Sequence, residues 1–221
     1  MPFYDELLKA TEQERNTLLT LPFIALGGAG KISLQAYIAF LTQAYHHVKH
    51  TVPLLMACGG RLPEHYEWLR TGIGEYIEEE MGHQEWILND INATGFDAEA
   101  VRSSQGDSAP SLATELMVAY AYDMVHRINP IGFFGMVLVL EGTSTAVATQ
   151  AANTLKQSLN LTNKSFSYLS SHGALDVAHT GFYEVLVNKI SDKNDQALLI
   201  NAAKNFYVLY GNIFRTLEAK F

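Results

Sequence analysis

A chain of 221 residues with 48% hydrophobic content can bury a sizeable core and falls in the range of a single domain covering residues 1–221. Its formal charge of -8 and pI near 5.4, with no basic stripe, argue against a nucleic-acid partner. The one cysteine, Cys58, rules out an intrachain disulfide framework or a thiolate metal cluster and fits a reducing cytoplasm.

Residues Met1 to Glu6 lack a basic region followed by an apolar run, so no secretory signal is expected. The longest strongly apolar run, Ile131 to Leu140, is too short to span a bilayer.

In chain order, Leu7, Leu8, Leu18 and Leu19 among Glu6, Lys9, Glu12 and Arg15 predict a surface helix from Tyr4 to about Leu18. Residues 21–33 read as a connector, because Gly27, Gly28 and Gly30 break both periodicities. They are not a phosphate loop: Ala25 stands at the required first glycine and Ile32 where Ser or Thr is needed. Ser33 can cap a helix running to about Cys58, kinked at Pro53, with His46, His47 and His50 off its apolar stripe.

Gly59 and Gly60 end that helix, and a third follows from about Glu64 to Ala93. Within it Gly82, costing about 1 kcal/mol relative to Ala, is expected where another backbone approaches closely. Residues 102–110 form a surface loop. Ser111 caps a helix through about Ile128, Asn129 and Pro130 interrupt it, and another runs from Ile131 to about Leu159. A helix from about Ser165 to Ile190 and a last one reaching nearly to Phe221 complete an all-α chain.

The chemistry-bearing pattern begins with His172, Asp176 and His179, spaced i, i+4 and i+7, which stack on one helical face. Two imidazoles and a carboxylate suit iron, manganese or zinc. Carboxylate-bridged dinuclear sites in helical bundles pair Glu/Asp-x-x-His motifs on two helices with single ligands from two others. Glu80 with His83 and Asp176 with His179 supply the pairs, and Glu141, set after an apolar run, is the single carboxylate. His46, His47 or His50 would contribute the fourth helix's donor.

Each piece has a plainer reading. Glu78 to Glu80 could be a solvated face, Glu141 could pair with Arg127, and Asp123 with His126 repeats the spacing where helix-end placement explains the histidine.

The combination Glu79 to His83, Val139 to Ser144 and His172 to His179 resembles the haem-oxygenase-like iron-containing oxidases, whose fold is related to TenA (thiaminase II) and PqqC-like proteins. The resemblance covers about Leu34 to Ile190. It implies an all-α bundle of about seven helices with a central metal site. Ligands carried over are His83, Glu141, His172, Asp176 and His179, with Glu80 or Glu79 as a further carboxylate. Where diiron members place a glutamate on the first ligand helix, this chain has His46, His47 and His50, so one or two iron ions remain open. No histidine precedes His46, against haem cleavage, and no cysteine lies in the second half, against thiaminase chemistry. The resulting expectation is a cytoplasmic non-haem iron oxidase or oxygenase that uses dioxygen on a small-molecule substrate. It has no nucleic-acid or membrane partner, and its apolar helix faces leave room for a homodimer. The alternative is a metal-free TenA- or PqqC-like protein that binds a small molecule or cofactor in the same cavity.

Overall fold

Capping residues, prolines and left-handed glycines decide where the helices start and stop. The computed structural model describes residues 1–221, with side chains described for all except 172–179. Among the described residues there are twelve α-helical segments and no β-strand, so the chain is all-α but more finely divided than about seven helices.

The expected first helix is two, α1 (Phe3–Ala10) and α2 (Glu12–Leu19), parted at Thr11, whose hydroxyl donates to the Leu7 carbonyl. The expected connector holds α3 (Pro22–Gly28). Pro22 suits its first turn, having no N–H to lose, and buried Phe23 and Ile24 dock it. The glycines that made this stretch read as a loop sit at its C-terminal end. α4 (Leu34–Val48) starts where expected, the Ser33 hydroxyl accepting from the Ala36 amide at 3.1 Å. It stops short of Pro53, and α5 (Thr51–Arg61) follows, running through Gly59 and Gly60. Pro53 offers no N–H to the Lys49 carbonyl and its ring crowds that group, so the kink becomes a break.

The third helix also divides. A 3-10 turn at Glu64–Tyr66 precedes α6 (Glu67–Glu80), and α7 (His83–Ala93) begins after Gly82. Gly82 has φ 94°, and nothing lies within 4 Å of where its Cβ would stand. The glycine therefore serves a left-handed backbone turn, which corrects the expected close approach. α8 (Ala98–Arg102) is capped by Asp97. α9 (Leu112–Asp123), capped by Ser111, passes into a π-helical turn at Met124–Ile128. Asn129 then caps a 3-10 turn, Pro130–Phe133, that feeds α10 (Phe134–Ser158). α11 (Ser167–Val187) and α12 (Lys193–Lys220) complete the bundle.

α10 is the central helix, packed most extensively on α11 and α12. Where α10 crosses α12, a Cβ on Gly135 would stand 2.6 Å from the Ala203 amide nitrogen, so only glycine permits that approach. Helix continues beyond Glu141, and Pro130–Ser158 is long and apolar enough to cross a membrane by length and composition. Its most apolar window is 56% buried inside the bundle, the position of a core helix.

Candidate metal centre

The three histidines of the second expected helix face three ways. His46 is buried, its Nε2 2.7 Å from the Ser108 carbonyl and its Nδ1 3.3 Å from Lys49 Nζ. An ammonium only donates, so Nδ1 accepts and Nε2–H donates to Ser108. Burial pushes the His46 pKa below its ordinary value. His50, which immediately precedes α5, places Nδ1 3.1 Å from the Tyr122 hydroxyl. His47 is buried with its ring edge-on to Tyr210. Of the three, His47 alone lines a cavity of about 70 Å³ whose polar wall also contains Glu80, Glu141, Tyr76 and Tyr168.

Glu80 and His83 sit on either side of the Gly82 turn, the last residue of α6 and the first of α7. Their meeting is therefore not an i,i+3 contact along one helix face. His83 Nδ1 lies 3.0 Å from Glu80 Oε2, with the two side chains only 2% and 10% exposed, and the imidazole packs on Trp86 at 4.1 Å. Glu79 is exposed, so Glu80 is the carboxylate turned inward.

Glu141 is half-buried two turns into α10. Arg127, the partner considered for it, is 82% exposed and bonded to Asp123 at 2.9 Å. The hydroxyls after Glu141 turn back into the helix: Ser144 and Thr145 donate to the Glu141 carbonyl at 3.0 and 2.8 Å, and Thr143 to that of Val139 at 2.6 Å. Burial first, and Glu141 second, push the Tyr76 phenol far above its ordinary pKa, so it stays protonated and can only be a donor or neutral acceptor. Tyr183, buried, donates to the Phe134 carbonyl at 2.8 Å.

His172, Asp176 and His179 lie outside the described residues. Among the described residues no three His, Cys, Asp or Glu side chains form a group that could hold a metal ion. What the fold brings together is His47, Glu80 and Glu141 around one cavity, with His83 joined through Glu80. His126 is exposed, stacked on Tyr122 away from this cavity.

Sequence reasoning did not find the residues that seat α11. Phe166 provides it no side-chain cap. Asp90, fully buried on α7, accepts instead from the Ser167 and Tyr168 amides at 2.9 Å each and from the Ser167 hydroxyl. Burial raises the Asp90 pKa, and these hydrogen bonds oppose the rise. Tyr37 adds a hydrogen bond to the Ser165 carbonyl at 2.7 Å. A cap reaching 77 residues along the chain leaves no local pattern, and an aspartate within a helix was the only hint.

A family model described as iron-containing redox enzyme matches residues 38–211. No curated protein sequence matches the chain. A solved domain of unknown function with a haem-oxygenase-like fold, from Shewanella denitrificans, is 26% identical over 98% of this chain and 92% of its own, with a TM-score of 0.84. A TenA homologue from Pseudomonas syringae is 12% identical over 98% and 93%, with a TM-score of 0.83. Haem oxygenase-1 from the cyanobacterium Synechocystis, solved in complex with haem, is 11% identical over 100% and 94%, with a TM-score of 0.77. The fold is haem-oxygenase-like.

Proposed function

The chain belongs to the family of iron-containing redox enzymes, and on that premise we propose that it is a non-haem iron oxidase or oxygenase that uses dioxygen to oxidise a small organic substrate. The observation that carries this reading is the buried Glu80 carboxylate, bonded to His83 and lining one cavity with His47 and Glu141. A carboxylate buried to this degree is held by pairing or by a cation. An imidazole and carboxylate donor set without thiolate suits iron(II).

His83, Glu141, His172, Asp176 and His179 would hold the metal, with Glu80 as the further carboxylate and His47 as the donor from α4. Iron bound by them would supply dioxygen binding and one-electron chemistry. Glu80 fixes the orientation of the His83 ring through its Nδ1. Val48, Leu55, Phe133, Met136 and Leu140 wall the cavity with apolar groups that keep out bulk water. Burial keeps the proton on the Tyr76 phenol oxygen at the cavity wall.

The test is iron content and oxygen uptake in protein purified anaerobically and reconstituted with iron(II). The wild type should bind one or two equivalents, and His83→Ala and Glu141→Ala should each bind less. Substoichiometric iron in the wild type, or unchanged iron in both variants, overturns the reading. Oxygen uptake that needs no iron would favour a metal-free TenA-like protein instead.

A further inference from the structure

A second cavity, of about 80 Å³, lies between α3, α4, α10, α11 and α12, walled by groups such as Phe23, Ile24, Phe40, Val147, Leu155 and Phe214. Among the described residues none of its lining groups is charged. Three of the hydroxyls on its wall are turned away: Tyr37 donates to the Ser165 carbonyl, Thr143 to the Val139 carbonyl and Ser144 to the Glu141 carbonyl. Away from Tyr168 and Tyr210 the chamber therefore presents an apolar surface. Ser144, Tyr168 and Tyr210 line both this cavity and the one holding His47, Glu80 and Glu141, so the two adjoin at these three residues.

Its outer end is formed by α3, whose last carbonyl, Gly28, accepts from Thr154 Oγ1 at 3.1 Å and from Gln150 Nε2 at 3.4 Å. Those bonds tether α3 to α10. Gly27 is buried, yet nothing lies within 4 Å of where its Cβ would stand. Empty space over a buried glycine that lines a cavity means the void itself faces that position. Gly27 has no positive φ, so a side chain placed there would fill the void without backbone strain.

We propose that this chamber is a subsite for the uncharged apolar portion of a small organic ligand, whose polar end passes Ser144, Tyr168 and Tyr210 into the chamber of carboxylates and imidazole. The inference rests on the proposed function and specifies its substrate class: an amphipathic molecule with a neutral aliphatic or aromatic tail. A charged tail would be stripped of water against walls that return no partner. An apolar one gains with each methylene buried.

Straight-chain butanol, hexanol and octanol serve as neutral probes, titrated calorimetrically into iron-reconstituted protein whose metal content is measured in the same sample. The wild type should bind them about fourfold more tightly per added methylene. Gly27→Leu fills the chamber from the α3 side and Ala151→Phe from α10, and each should abolish this dependence while retaining helical circular dichroism and iron. Affinity that ignores chain length in the wild type overturns the subsite, as does a length dependence that survives in both variants. Loss of iron with the length series intact overturns the proposed function and leaves the subsite standing. A flat series with full iron does the reverse.

Discussion

Glu80 with His83 and Asp123 with His126 carry the same carboxylate-x-x-histidine spacing, yet the fold treats the two pairs oppositely. The first straddles a left-handed turn at Gly82, closes a 3.0 Å contact and is buried against the central cavity. The second pair sits at the end of α9 and in the turn after it. There Asp123 pairs with Arg127, and His126 stacks on Tyr122 in solvent. Spacing brings a carboxylate and an imidazole near one another, but burial decides whether the pair has anything to do. In water such a contact is worth little. Inside the bundle the same groups must satisfy each other or a bound cation.

The sharpest way to break this contrast is metal binding. His83→Ala should weaken iron affinity by at least about a hundredfold, on the scale of losing a metal site's essential partners, and His126→Ala should leave it unchanged in a chelator competition. Equal losses in the two variants would erase the distinction between the pairs.

Next in size is Asp90, on the same helix as His83. Asp90→Ala removes an acceptor of three hydrogen bonds at the start of α11 and should cost about 2 kcal/mol in urea unfolding, as for bonds to a charged group. Its titration has a definite sign. Burial raises the folded-state pKa above the ordinary 3.8. The stability linked to this proton is full below that ordinary value and is lost as pH rises through the raised one. Asp90→Asn should remove that slope from a pH series of unfolding midpoints.

Gly82→Ala comes third. A β-carbon in the left-handed region costs about 1–2 kcal/mol, and with open space around Gly82 the cost is purely one of backbone conformation. Gly82→Asn should cost less, because asparagine tolerates this region better. Equal thermal shifts for the two substitutions would contradict the turn as the reason for the glycine.

The smallest effect belongs to His46. Burial lowers its folded-state pKa below the ordinary 6.5, so its contribution is present above that value and lost as pH falls through the lowered one. His46→Gln should flatten this part of the stability profile without altering iron content. A loss of iron in that variant would place His46, and not His47, at the centre.

Much of the secondary structure was legible because its causes are local. Ser33 and Ser111 cap the helices that follow them, as their positions suggest, and hydrophobic periodicity marks most of the others; α8, capped by Asp97, carries no such periodic signal. The misreadings were local as well. Gly27 and Gly28 suggested a loop where Pro22 and two buried apolar residues make α3, and Pro53 broke a helix it was expected to bend. Gly82 fits a helix interior poorly, as its residue type shows, but its φ of 94° is not set by its neighbours.

What the amino-acid order determined by itself was the inventory: an all-α chain, imidazoles and carboxylates without thiolates, and an acidic residue set in an apolar helix. Tertiary structure decided which of these groups meet. His46, His47 and His50 differ by only a few positions, but their directions around the helix send one to Ser108, one to the cavity and one to Tyr122. Only the elements packed on each face distinguish them. Likewise Asp90 becomes the cap of α11 through a contact 77 residues away. Periodicity and capping act within a few residues, whereas burial and long-range hydrogen bonds exist only once the helices have assembled.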